Sequence, residues 1–238
     1  MYRYFFNIFF ALTCVAHSIG QNDNKTQQNQ DSIVYQEKYG LRIGVDLVRP
    51  IKSLVDENLT AFEVNADYRL SQKLYAAGEL GYDTSTYDEE NLLVTAQGSY
   101  IKLGVNYDTY ENWLGMRNSI YAGVRYAFAS FSQDLEEYVI YNSTQDYFEP
   151  DVRSQNQEFS GLTAGWIELQ GGIKVELVKN IYIAAHVQLK RRVNETKPDG
   201  FDNLYIPGFN RTYDGSTFGV GWGYSINYFL PLYKKDKR

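Results

Sequence analysis

The chain has 238 residues and a net charge of −6, from 23 basic and 29 acidic side chains, which argues against a nucleic-acid partner. Cys14 is its one cysteine, so no internal disulfide framework can form. Beyond the first twenty residues no apolar run approaches the roughly eighteen that a spanning helix needs, but barrel strands escape such a scan because every second residue is polar.

Arg3, the apolar stretch Tyr4–Ala16 and the small-x-small triplet Ser18-Ile19-Gly20 read as a secretory signal peptide over residues 1–20. Thr13 is bulkier than the residue that usually precedes a lipidated cysteine, and the apolar core runs on past Cys14, so no lipid anchor is expected there. Residues 21–37 (QNDNKTQQNQDSIVYQE) have almost nothing to bury and are expected to form a disordered periplasmic leader.

The first strand is predicted over Tyr39–Val48, where Tyr39, Leu41, Ile43, Val45 and Leu47 alternate with Gly40, Arg42, Gly44 and Asp46; Pro50 ends it. The second spans Thr60 to Leu70, with Phe62, Val64, Ala66 and Tyr68 opposite Glu63, Asn65, Asp67 and Arg69. The turn Ser71-Gln72-Lys73 leads to a third, where Leu74, Ala76, Leu80 and Tyr82 oppose Tyr75, Glu79 and Asp83. An acidic loop, Tyr87–Asn91, should separate it from the fourth, in which Ile101, Leu103, Val105 and Tyr107 oppose Tyr100, Lys102, Asn106 and Asp108.

A connection through Trp113 reaches the fifth strand: Ile120, Ala122, Val124, Tyr126 and Phe128 against Tyr121, Gly123 and Arg125. Ser130 to Gly161, polar and rich in Tyr, reads as the longest irregular segment. In the sixth strand Ile167, Leu169, Ile173 and Val175 oppose Trp166, Glu168, Gln170, Lys174 and Glu176. After the turn Val178-Lys179-Asn180, the seventh sets Ile181, Ile183, Ala185, Val187 and Leu189 against Tyr182, His186, Gln188, Lys190 and Arg192. A loop, 193–215, precedes the eighth strand, Ser216 to Leu232. There Phe218, Val220, Trp222, Tyr224, Ile226, Tyr228 and Leu230 face away from Gly219, Gly221, Gly223, Ser225 and Asn227.

Eight alternating segments, with short turns at one end and long connections at the other, predict an eight-stranded antiparallel up-and-down transmembrane β-barrel over residues 38–233. Residues 234–238 are expected to be a solvated basic tail. The expected location is the bacterial outer membrane, with both termini in the periplasm, and lipid is the expected partner. The spacing in Gly223-Tyr224-Ser225-Ile226-Asn227-Tyr228 resembles the terminal signal read by the barrel-assembly machinery, a second expected partner.

The inward face carries Asp46, Glu63, Asp67, Glu79, Asp83, Asp108, Glu168 and Glu176 against Arg42, Arg69, Lys102, Arg125, Lys174, Lys190 and Arg192. An eight-stranded barrel is just wide enough for its own side chains, so near-balanced charge is expected to form a salt-bridged plug. We read the charge network as Arg42, Glu63, Asp67, Arg69, Glu79, Lys102, Arg125, Glu168, Lys174, Glu176, His186 and Lys190. A narrow transport path or a secretion accessory is the alternative. His186, the one histidine left after signal removal, is the only anchor for a lipid-active hydrolase, and nothing beside it supplies a nucleophile. We therefore expect no enzyme activity, no cofactor and no metal site. Tyr205, Phe209, Arg211 and Tyr213, around Pro207-Gly208, have the aromatic and Arg content of an external loop that binds an outside ligand or protein; a loop folded over the barrel mouth is the competing reading.

GSYIKLGVNYD (98–108), YENWLGMRNSIYAGVRY (110–126) and FDNLYIPGFNRTYDG (201–215) resemble an uncharacterised family of outer-membrane β-barrels from Bacteroidota, particularly flavobacteria, catalogued only as a domain of unknown function. The resemblance implies an outer-membrane barrel and brings no activity or functional residue with it.

Overall fold

Period-2 alternation puts successive side chains on opposite faces of a strand, and every segment read that way is a strand in the computed structural model, which describes residues 36–110, 117–140, 151–198, 200–213 and 215–236. The strands are β1 (Gln36–Asp46), β2 (Leu59–Arg69), β3 (Leu74–Glu89), β4 (Leu92–Asp108), β5 (Ser119–Ile140), β6 (Asp151–Val178), β7 (Ile181–Glu195), β8 (Tyr205–Ile206), β9 (Asn210–Arg211) and β10 (Phe218–Asp236). Eight of them close a ring in the order β1-β10-β7-β6-β5-β4-β3-β2, while β8 and β9 form a separate hairpin. Chain neighbours in the ring pair antiparallel, and β10 closes on β1 from Gln36↔Asp236 to Asp46↔Ser225. The fold is an all-β, eight-stranded antiparallel up-and-down barrel.

Ile43, Phe62, Leu80, Leu103, Val124, Leu169, Val187 and Trp222, one from each barrel strand, all point outward and are exposed. The inward face holds the buried charges. The polarity is the reverse of a soluble domain's, where burial selects apolar side chains.

Several boundaries differ from the sequence reading. The first strand stops at Asp46, and an unpredicted helix, α1 (Val48–Val55), takes over. Pro50 lies in its first turn, where the missing N–H has no intrahelical partner to lose, so it does not break the helix. The Tyr87–Asn91 loop is a tight turn: β3 and β4 pair up to Glu89↔Leu92. Most of the irregular segment 130–161 is also strand, since β5 and β6 pair out to Ile140↔Asp151. Apolar alternation signals a strand only where one face is continuously apolar, and here the outward face is polar while the inward one interleaves Phe131 and Leu135 with Gln133. Gln36–Glu37, expected in the leader, pair with Asp236 and Lys235, expected in the tail, and Lys234 pairs with Lys38. The rest of the expected leader and the expected signal peptide, residues 1–35, lie outside the described residues.

The ring closes through β1 over only part of its neighbours' height. β1 pairs with β10 no further than Asp46↔Ser225, and with β2 no further than Val45↔Val64. Beyond those points Leu59–Glu63 of β2 and Phe218–Tyr224 of β10 each have, among the described residues, a barrel neighbour on one side only. Helix α1 packs against both strands. The Ala61 amide donates to Ser53 Oγ at 2.8 Å, the Leu47 amide to the Tyr224 carbonyl at 2.7 Å, and the Lys52 ammonium sits 5.1 Å from the Trp222 ring centroid.

Candidate functional site: the filled lumen

Strand pairing sets the height of each inward side chain, and three layers result. The middle layer centres on Lys102, which is fully buried. Its Nζ lies 3.0 Å from Glu79 Oε2, 3.2 Å from Glu63 Oε2 and 3.6 Å from Glu168 Oε1. Arg49, from α1, reaches in to Glu63 at 3.3 Å and Asp83 at 2.6 Å. Tyr100 Oη donates to Glu63 at 2.7 Å and Trp166 Nε1 to Glu168 at 2.7 Å. Arg125 lies 3.5 Å from Glu79 and donates to Asn106 (2.8 Å) and Gln170 (3.1 Å).

Nearer the end where Gln36 pairs with Asp236, Asp67 accepts from Arg42 at 2.6 Å and pairs with Lys174. The Arg42 guanidinium stands 4.6 Å from the Tyr75 ring and 5.6 Å from that of Tyr182. Arg69 pairs with Glu37 at 2.6 Å and lies over Tyr39 at 4.6 Å. Glu176 accepts from the Asn180 amide at 2.9 Å, which makes it a turn cap apart from the central cluster.

The opposite mouth is closed by the β8–β9 hairpin. Ile206, Pro207 and Phe209 are fully buried among Tyr100, Ala127, Ala129, Phe131, Leu162, Ala164 and Trp166. Phe209 meets Trp166 edge to face at 5.8 Å. The Gly208 amide donates to Asp83 at 2.8 Å, and Lys190 Nζ donates to the Gly208 carbonyl at 2.7 Å. Gln133 holds the hairpin base, accepting from the Leu204 amide at 3.0 Å and donating to Asn203. The glycine row of β10 makes room for this filling: a Cβ at Gly219 would lie 3.0 Å from Phe209, and one at Gly223 would meet His186 at 2.6 Å.

The residues expected to form one external binding loop are therefore divided. Phe209 is in the core, and Tyr205 turns inward, donating to Asp83 at 3.1 Å. Burial, then the Asp83 carboxylate, hold the Tyr205 hydroxyl well above the usual tyrosine range. Arg211 and Tyr213 do face outward, with Arg211 lying 4.6 Å from the Tyr87 ring and bonded to its hydroxyl. The apolar side chains beside Pro207-Gly208 find more area to bury in the mouth than in water, which decides for the folded-over conformation.

His186 lies in the lumen with its ring 3.0 Å from Gln188 Nε2, and no hydroxyl bonds to it among the described residues. It lines two small voids, of about 20 and 60 Å³, that also share Glu63. Among the described residues no group of three His, Cys, Asp or Glu is placed to hold a metal. Sequence reasoning missed Arg49, because it stands on the unpredicted helix, and Gln133, because it lies in the segment taken as irregular.

Two solved structures are similar to this chain in fold. Ail, the attachment invasion locus protein of Yersinia pestis, is 9% identical with a TM-score of 0.38, over 81% of this chain and 97% of its own. CarO2 of Acinetobacter baumannii is 9% identical with a TM-score of 0.35, over 82% of this chain and 100% of its own. No curated protein matches the sequence. A family model described as "Domain of unknown function (DUF6048)" matches residues 1–235, and the chain belongs to that family.

Proposed function

We propose that the protein spans a bacterial outer membrane as a closed, non-conducting and non-enzymatic barrel that holds a β-sheet extension outside the cell. The observation that carries this reading is the inverted polarity of the wall, apolar outside and charged inside, closed at one mouth by the hairpin. A strand crossing lipid needs about 9–11 residues. β5 has 22 and β6 has 28, so both continue well past the bilayer. Outward-facing Asp134, Glu136 and Glu158 give the extension the polar surface of a segment bathed in water, suited to meeting an external ligand or protein. The host is a Bacteroidota bacterium on the resemblance described above, and insertion runs through the barrel-assembly machinery. The signal-like stretch Gly223–Tyr228 would be read within β10, which runs on to Asp236.

Labelling in intact cells tests the topology. A cysteine replacing Ser154, in the extension, should react with a membrane-impermeant maleimide. One replacing Gln72, in the β2–β3 turn, should react only after lysis. Equal reaction of both before lysis, or of neither after it, contradicts the proposal.

A narrow proton path is a second reading, favoured by the two voids that meet at Glu63 and His186. Each is large enough for at least one water, which needs about 10–15 Å³. Under that reading His186→Ala slows acidification of vesicles loaded with a pH dye; equal rates for the variant and the wild type remove it.

A further inference from the structure

We propose that helix α1 is a lipid-seated segment of the barrel wall, its outer face covered by acyl chains of the surrounding bilayer. The inference rests on the membrane reading above and says where that membrane meets this barrel's one irregular side. Unpaired backbone amides and carbonyls cannot face hydrocarbon without a large cost, so a lipid-embedded barrel has no open strand edges. Here, among the described residues, two edges are left without a strand partner, Leu59–Glu63 of β2 and Phe218–Tyr224 of β10. α1 stands against both, with Ser53 serving the Ala61 amide and Leu47 bonding to Tyr224.

The helix is amphipathic in an unusual direction. Its inner side sends Arg49 into the lumen to Glu63 and Asp83, with Val48 buried. Its outer side presents Ile51, Leu54 and Val55 at 57%, 88% and 83% exposure. In water that would be a costly arrangement for eight residues. Phe62 of β2 and Val220 and Trp222 of β10, on the two strands the helix packs against, are likewise apolar or aromatic and exposed, so the helix continues the apolar character of the wall across the interrupted sector. Lys52, beside Trp222, has the place of an interfacial cation that reaches toward lipid headgroups. A helix with an apolar face, short polar flank and nearby Trp matches an element lying in the interface plane. The 60 Å³ void adjoins it, lined by Val48, Arg49 and Lys52 of the helix and by Glu63 and Lys190 of the lumen.

Depth-dependent quenching separates this inference from the membrane reading it rests on. In a Cys14→Ala background, single cysteines at Leu54, Val187 and Asn91 are labelled with bimane, and the full chain is reconstituted in phosphatidylcholine–phosphatidylglycerol vesicles. The lipids carry nitroxide either near the headgroup or deep in the acyl chain. Val187 marks the mid-wall and Asn91 the water-bathed β3–β4 turn. The expected result is several-fold loss of emission at Leu54 with the shallow nitroxide, loss at Val187 with the deep one, and none at Asn91. Quenching at Val187 with Leu54 as unaffected as Asn91 overturns the lipid-seated helix and leaves the membrane barrel standing. No quenching at Val187 overturns both.

Discussion

At the level of single residues, the lumen is organised by one lysine. Lys102 is shared by Glu63, Glu79 and Glu168, and among the described residues no other cation reaches all three. Its ion pairs are close in distance but poorly aligned as hydrogen bonds, so Coulomb attraction is the main compensation for three desolvated carboxylates. Removing one partner of a buried pair typically costs about 3–5 kcal/mol, because a charge is left stranded. Lys102→Met should therefore lower the urea midpoint of the reconstituted barrel sharply, as read by tryptophan fluorescence. Adding Glu168→Gln to the same chain should recover part of the loss. A Lys102→Met barrel as stable as wild type would show that water, not this lysine, neutralises the site. Most of these charges were legible in the sequence, since a charge on the polar side of an alternating segment can only face the lumen. Which charge meets which was not, because pairing depends on strand register and on Arg49, contributed from outside any strand.

Elements show where alternation stops being informative. α1 was hidden by Pro50, although Leu47, Ile51, Leu54 and Val55 already stand at helical spacing. The β5–β6 extension was hidden because its outward face is polar and its inward face mixes Phe131 and Leu135 with Gln133, which leaves no continuous apolar stripe to detect. The hairpin was visible as an aromatic, Gly-containing loop, but its direction depended on an apolar cavity lined by β4, β5 and β6. Gly208 is the residue on which that conformation turns: its φ is +80° and a Cβ there would lie 2.6 Å from the Tyr100 ring. Gly208→Ala should release the hairpin, seen as proteolytic cleavage within 200–213 while the barrel itself stays folded; continued protection would contradict the packing described.

Tyr205 gives the same element a pH signature. Its hydroxyl titrates above the unfolded value of about 10, so its contribution is fully present below that pH and is lost as pH rises through the folded-state pKa. The thermal midpoint of wild type should exceed that of Tyr205→Phe at pH 8, the lost hydrogen bond to a charged acceptor being worth about 1.5–3 kcal/mol. The gap should narrow under strongly alkaline conditions. A gap that widens with pH would place the hydroxyl in water.

For the whole molecule, the parts agree on a wall turned inside out and a lumen with no room for a water column. A barrel of eight strands has an interior that side chains just fill, whereas sixteen-stranded porins leave an aqueous channel. Here the filling is specific: an ionic layer, an apolar hairpin above it and stacked cations and tyrosines below. Such a body should survive unheated sodium dodecyl sulfate as a compact band and shift on boiling, when the closed ring finally opens. A single boiled-like band at all temperatures would contradict a closed ring. The most direct test of the filled lumen is planar-bilayer recording on protein whose insertion has been verified by that band shift. The structure predicts a silent trace at moderate voltage and high salt, and steady conductance steps from the inserted wild-type chain would contradict it.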